Sequence, residues 1–514
     1  MRRRELVAWA ALGLLALAVR LVDLADRPPH HDEAVHAHFA HHLLTQGAYR
    51  YDPTYHGPLL FYVMAPLFAL LGENLFTARL YPAVAGAALA VLPVLLRRRV
   101  GAGPAWWTGF VLAISPSFLY YSRFARNDVP VALFTALALV LLLRGRQSDG
   151  RSLPWAGVAA ALHAISKETF YVTVPLLVLA AVVVGARVGA RRAVVALRGW
   201  VSRFSLPLGT AVLWFVAIVV TAYTFVFIHP EDAFFPLKAV RYWYEQHRIQ
   251  RVGGPWFYHF PRLALYEFLI LGAAVARVVR RGRRLRPVEV FCLAWGAASL
   301  GMYAYLGEKV PWLLTHQVLP FSLLAGAELA WWWSRRGRWF GKGVVALAVA
   351  LTVWSSLAVT FRYGVITPSD PHAELLVFVQ TTPEAAELAR RGVELHRAHP
   401  DALVAAVSGE AAWPLSWQWR DLSVWWGKPQ AGSRPLLCVG DAADARELEA
   451  LLGNGYTRAI IPLRGWWVES WEGTGVGAVV RWFFTRLAWS PLGATEIVVF
   501  QRQGEGAVGK EREP

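Results

Sequence analysis

The feature that most constrains this chain is its alternation of long apolar runs with short arginine-rich segments. Apolar runs occupy 6–24, 76–96, 104–121, 129–143, 153–166, 169–186, 204–228, 262–279, 288–306, 311–333 and 343–361. Crossing the ~30 Å hydrocarbon core as a helix takes about 20 such residues. In lipid a helix satisfies all its own backbone groups, so runs of this length predict spanning helices. The composition agrees: 56% of residues are hydrophobic and the mean hydropathy is +0.37. We therefore expect an all-α polytopic membrane protein with about eleven spans.

Orientation follows from the arginines, because positive loops stay in the cytoplasm. "MRRR" precedes the first run, which puts the N-terminus inside. Arginine clusters recur at 97–99, 144–151, 187–198, 277–286 and 335–342, in every second loop. Eleven spans then leave the C-terminus outside a multi-pass protein of the cell (plasma) membrane. A cleaved signal peptide is the rival for the first run, but Arg20 interrupts any small-residue cleavage site. The segment "GPLLFYVMAPLFALLG", 57–72, would reach only about 24 Å as a helix. If it spanned, every later arginine loop would flip outside, so we read it as an interfacial or re-entrant helix. The net charge of +17 sits in these loops. No soluble segment carries a basic stripe with interleaved aromatics, so nucleic acid is not expected as a partner. Cys292 and Cys438 fall in different compartments on this topology, which implies no disulfide.

The first outer loop, 25–75, holds "HHDEAVHAHFAHH" at 30–42, with two acids and six histidines. Ala34, Ala37, His38, His41 and Leu44 recur at helical spacing, and Gly47 is a stop signal. This predicts a short helix lying on the membrane, with Asp32 and Glu33 in its first turn, where the helix dipole favours anions. His38 with His41 or His42 could hold a metal, but the segment is not H-E-x-x-H. The metal reading stays open, with Asp32 and Glu33 as a candidate site for a divalent cation.

Ionisable groups collect at the predicted outer ends of the spans. The second outer loop, "YYSRFARNDVP", carries Arg123, Arg126 and Asp128. The third is the turn "ISKETFY", with Lys167 and Glu168. The fourth, about 229–261, holds Arg241, His247, Arg248, Arg251 and His259 among many aromatics, and the fifth, "YLGEKVPW", holds Glu308 and Lys309. Lysine occurs six times against forty-six arginines, and two of the six stand beside a glutamate in these turns. Charges near spans are costly and mark functional sites. Positive charge on this side calls for anionic partners: carboxylates for some, and a lipid-linked phosphate for the rest.

These residues resemble the GT-C superfamily of membrane glycosyltransferases, in the branch with protein O-mannosyltransferases and the aminoarabinose transferases of lipid A. The resemblance rests on Asp32-Glu33 after the first span, "YHGPLLFY" at 55–62, "GENLFTARL" at 72–80 and "RFARNDVPVALF" with Arg126 and Asp128. "SKE" stands where "TK-G" is often found. A prokaryotic subfamily with "HHDEAVHA", "SKET", "RVGGPWFYH" and "GEKVPWL" is similar too, and some of its archaeal members are named as flippase activity-associated. The resemblance covers about 1–360. It implies a polyprenyl-phosphate sugar as donor, used outside the cytoplasm, and an inverting transfer with an acid of the first loop as base.

The chemistry fits the layout. An acceptor hydroxyl must lose a proton as it attacks the anomeric carbon, and a carboxylate can take it. Asp32 is the first choice as base and Glu33 the second. The leaving lipid phosphate needs charge stabilisation rather than protonation. Arg126, Lys167, Arg251 and Lys309 are the candidates for phosphate, with Asp128, Glu168 and Glu308 orienting them or binding acceptor. His56 and His259 are candidate sugar contacts. The acceptor is a glycan, a lipid or a protein. A lipid-linked oligosaccharide flippase, or a protein associated with one, is the alternative. Transporters, however, usually place polar groups and broken helices near the midplane.

From about 362 the pattern changes. "ELLVFVQ", "ALVAAVSG", "PLLCVGD", "TRAIIPL" and "TEIVVFQRQ" read as strands, separated by the helical "PEAAELARRGVELHRA" and "DARELEALLGNG". This predicts an extracytoplasmic α/β domain over 362–503 with a mostly parallel sheet. Residues 504–514 read as a disordered tail.

Overall fold

The computed structural model describes residues 3–250, 252–334 and 339–504. Arg251 and the tail 505–514 lie outside the described residues. The chain forms two compact units: Met1–Leu24 with His42–Thr360, and Ala25–His41 with Phe361–Pro514. The second unit thus takes in residues 25–41 together with the C-terminal part.

The first unit is helical. Each predicted run contains a helix, from α1 (Arg3–Leu21) to the helix Trp339–Leu357. Among the described residues, five segments are long and apolar enough to cross a membrane: Leu75–Val100, Thr169–Val188, Ser205–Tyr223, Pro287–Tyr305 and Trp339–Arg362. The 57–72 segment forms the helix Leu59–Leu71, about 20 Å long and short of the ~30 Å core. The arginine segment 187–198, expected as loop, lies largely in a helix, Ala190–Arg203. Its exposed Val194, Val195, Leu197 and Val201 alternate with arginines, the pattern of a helix lying in an interface.

Several rim cations serve helix ends. The last carbonyls of a helix have no intrahelical donor and attract cations. Arg123 donates to the carbonyls of Val19, Arg20, Val22 and Asp23, which closes the end of α1. Arg79 donates to Leu24 O at 2.8 Å. Lys309 Nζ caps the helix Pro287–Tyr305, within 2.9 Å of Tyr303 O, 2.7 Å of Ala304 O and 2.6 Å of Leu306 O. Backbone carbonyls are therefore a third class of partner for rim charge, beside carboxylates and phosphate.

The second unit is built on a six-stranded sheet of order β1-β5-β6-β4-β2-β3. The strands are β1 (Gln380–Thr381), β2 (Ala405–Val407), β3 (Val424–Trp426), β4 (Leu437–Asp441), β5 (Tyr456–Trp467) and β6 (Leu492–Arg502). Among the described residues, β2 pairs parallel with β3 and with β4, and the other three pairings are antiparallel. The mostly parallel expectation is corrected to a mixed sheet. The long β5 and β6 supply most of its register, and they run in opposite directions. The predicted strand "ELLVFVQ" is strand only from Gln380, so most of that apolar run packs without a ladder.

The helix Pro383–Ala398 shows why the sheet has a core. Ala385, Leu388, Ala389, Gly392 and Leu395 recur every three or four residues and form its buried face. A Cβ at Gly392 would lie 2.5 Å from the Trp419 ring, so only glycine admits that indole. Trp419 is fully buried and its Nε1 donates to Ala389 O at 2.8 Å.

Candidate active site

Asp128 is the first residue of the helix Asp128–Arg144, ahead of its apolar run. Its carboxylate is buried among three donors from three parts of the first unit. Lys167 Nζ donates to Oδ1 at 2.7 Å, His316 Nε2 lies 3.3 Å from the same oxygen, and Arg126 Nε lies 3.5 Å from Oδ2. Burial on its own raises the Asp128 carboxyl. Lys167, the His316 hydrogen bond and Arg126 outweigh it and hold the group well below the usual carboxylate range. The Arg126 guanidinium also lies over the Trp312 ring, 3.7 Å from its centroid. Two side-chain cations, Arg126 and Lys167, therefore flank the Asp128 carboxylate where "RND" and "SKE" meet.

Lys167 is also one wall of a cavity of ≈ 380 Å³, lined further by His56, Glu168, Trp243, Tyr303 and Glu308. The backbone explains how His56 reaches it. Gly57 N donates to Ser166 O at 3.2 Å and Leu59 N to Ile165 O at 3.0 Å. A Cβ at Gly57 would sit 2.2 Å from Ile165 O, so "HGPLL" docks on the "SKE" turn through a residue without a side chain. His56 has φ +68°, a region that costs about 1–3 kcal/mol for a non-glycine residue and persists only where the surroundings impose it. Its Nδ1–H donates to Glu168 Oε2 at 2.8 Å. Its ring stacks on Trp243, at 5.5 Å and 7° between planes. Tyr51 donates to the other Glu168 oxygen at 3.2 Å, and burial first, then Glu168, raises its phenol.

The segments 229–261 and 306–311 meet at the same cavity. Gly307 N donates to His247 Nδ1 at 3.0 Å, which ties the "GEK" loop to the helix Phe235–Ile249. Glu308 lines the cavity, while the neighbouring Lys309 spends its donors on carbonyls, and burial lowers its ammonium. His259 is buried with Nε2 donating to Val310 O at 3.1 Å, and burial pushes it down to about 3. It is not among the lining residues of the cavity. The structure thus brings together Arg126, Asp128, Lys167, Glu168, His56 and Glu308, and turns Lys309 and His259 to backbone duties.

Asp32 and Glu33 lie in the first turn of α2 (His31–Gln46), which ends before Gly47 at φ +62°. The two carboxylates differ. Glu33 is 1% exposed, accepts the backbone N–H of His30 at 2.8 Å and lies 3.7 Å from Arg27. Its place three residues past the cap is that of a capping-box acid. Asp32 is 33% exposed. Glu33 thus caps the helix beside a guanidinium, while Asp32 is the more exposed of the pair. Among the described residues no three His, Cys, Asp or Glu groups converge as metal ligands.

Sequence reasoning missed His316, Tyr51 and Tyr303. His316 lay inside "LLTHQVLP", where a lone histidine in an apolar run was the signal available.

Residues 55–205 match the family model described as dolichyl-phosphate-mannose-protein mannosyltransferase. An undecaprenyl phosphate-alpha-4-amino-4-deoxy-L-arabinose arabinosyl transferase of Pseudomonas aeruginosa is 26% identical over 310 residues, 56% of this chain and 53% of that protein. A Pseudomonas fluorescens enzyme of the same description is 24% identical over 356 residues, 62% of this chain and 60% of its own. The chain spans about half the length of the P. aeruginosa relative. The structure of ArnT from Cupriavidus metallidurans bound to undecaprenyl phosphate superposes with TM-score 0.64 at 16% identity, covering 99% of this chain and 100% of that one. The oligosaccharyltransferase of Archaeoglobus fulgidus gives 0.50 at 12% identity, over 89% of this chain and 69% of its own.

Proposed function

We propose that this chain, a protein of the GT-C superfamily of the aminoarabinose transferase type, moves a sugar from a polyprenyl-phosphate donor to an acceptor outside the cytoplasm, with inversion. The observation that carries the reading is the meeting of Arg126, Lys167 and Asp128 beside a cavity lined by His56, Glu168 and an aromatic face. The Arg126 guanidinium and the Lys167 ammonium suit a phosphate. The paired imidazole and carboxylate suit sugar hydroxyls.

In the proposed reaction the acceptor hydroxyl attacks the anomeric carbon as the bond from that carbon to the phosphate oxygen breaks. Asp32 accepts the hydroxyl proton, and the lipid phosphate leaves as an anion stabilised by Lys167 and Arg126. A single displacement puts base and leaving group on opposite faces of the sugar, which inverts the anomeric centre. Asp32 is preferred over Glu33 because it is the more exposed of the two and Glu33 serves as the cap.

The test is to incubate purified protein with radiolabelled polyprenyl-phosphate sugars and a lipid or glycan acceptor. Label leaving the lipid, and a product of opposite anomeric configuration, are expected. Movement of the lipid-linked sugar across proteoliposomes with no transfer would replace the enzyme reading with the flippase one.

A further inference from the structure

The helix carrying Asp32 is held by residues nearly 350 positions away. Gln380 Nε2 donates to Pro28 O at 2.9 Å, just ahead of the helix. His30, its N-cap, lies with Nε2 3.0 Å from Phe378 O. A carbonyl only accepts, so Nε2 carries the proton. Nδ1 is then the lone-pair nitrogen, and it accepts the backbone N–H of Asp32 at 3.1 Å. One imidazole therefore spans from the backbone of the C-terminal domain to the backbone of Asp32. On the flank of α2, His31 and His38 lie one heptad apart and meet the same indole. Trp413 packs edge-on to His38 at 5.3 Å and to His31 at 6.3 Å.

An N-cap alone explains only one of these contacts. Asparagine, aspartate or serine would accept the Asp32 N–H as well, and they are the usual caps. None is long enough to reach the Phe378 carbonyl at the same time. The histidine-rich stretch thus supplies a rigid two-ended strut at 30 and an aromatic seat at 31 and 38.

We infer that His30 is a positioning residue for Asp32, and that through it and Trp413 the C-terminal α/β domain sets the orientation of the catalytic carboxylate. This rests on the reading of Asp32 as base. A displacement of about 1 Å at a reacting group can cost up to about a hundredfold in rate, so a strut is worth its rigidity.

The full-length protein with His30→Asn separates cap from strut, because asparagine keeps the cap and loses Phe378. We expect kcat for sugar transfer to fall at least tenfold, KM for the lipid donor to stay within about twofold, and the thermal midpoint to hold. Trp413→Ala should lower kcat the same way, and Trp413→Phe should restore most of it. Hydrogen exchange of the α2 amides, read without any turnover, should speed up in His30→Asn and Trp413→Ala. Unchanged exchange in both variants would overturn the link itself, whatever Asp32 does. Faster exchange with wild-type kcat would overturn positioning. Transfer retained by Asp32→Asn would sink the base assignment, while the exchange result would still report on the link.

Discussion

His56 Nδ1 and Glu168 Oε2 meet at 2.8 Å across 112 residues, and the contact depends on a glycine between them and the next helix. Gly57 is where the segment before the helix Leu59–Leu71 touches the turn after Ala164. Gly57→Ala should push that segment off the turn, because a Cβ 2.2 Å from a carbonyl oxygen requires the backbone to move. We expect transfer to fall by about tenfold or more, since the displaced His56 and Glu168 both line the cavity. Glu168→Gln, which keeps the geometry, should cost less. Steady-state transfer assays on both variants check the ranking, and equal activity of Gly57→Ala with wild type would refute it.

The buried Asp128 cluster predicts a pH signature of stability. The folded carboxyl is held well below its usual value, so its stabilisation is complete above the unfolded pKa of about 3.9. It fades only as pH falls through the folded value. Removing one partner of a buried ion pair costs on the order of 3–5 kcal/mol. Asp128→Asn should therefore melt well below wild type at pH 5 to 8, with a constant gap that narrows only under about pH 4. Thermal scans in detergent across that range decide the matter. A gap that already closes between pH 7 and 5 would contradict the assignment.

Lys167 and Lys309 read alike in the sequence, each beside a glutamate in a tight turn, but they bind different things. Lys167 meets Asp128 and the cavity, whereas Lys309 meets three carbonyls at the end of a helix. Lys167→Ala should raise KM for the lipid-phosphate donor severalfold and cut kcat. Lys309→Ala should instead lower the thermal midpoint, while the activity of the protein that remains folded changes little. Measuring both variants by melt and by kinetics gives the comparison, and a donor-KM effect confined to Lys309→Ala would reverse the roles.

That difference marks how far the sequence could be read. Apolar period and arginine spacing placed a helix in every run, because in a bilayer a helix is the one open-ended way to satisfy the backbone. Asp128, Lys167, Glu168 and His56 were legible because charge beside a span is costly and therefore rare. Which rim cation closes a helix end and which faces the cavity was not legible, since both need the same residue type and chain direction decides it. Local pattern could not give the mixed sheet either. β2 and β4 are short and buried and look alike whether their neighbours run parallel or not. His316 escaped because one histidine in an apolar helix carries no periodicity of its own.

The last prediction separates Asp32 from Glu33, which are adjacent in sequence and similar in composition but not in duty. Glutamine at Glu33 still accepts the His30 N–H, because the capping box takes either residue. Glu33→Gln should therefore keep most activity and stability. Glu33→Ala should lose about 1 kcal/mol of stability with the cap. Asp32→Asn changes neither cap nor shape but removes the proposed proton acceptor, so transfer should drop by about two to four orders of magnitude with insertion and melting intact. Transfer by purified Asp32→Asn at the wild-type rate, or a Glu33→Gln protein as dead as Asp32→Asn, would move the base elsewhere.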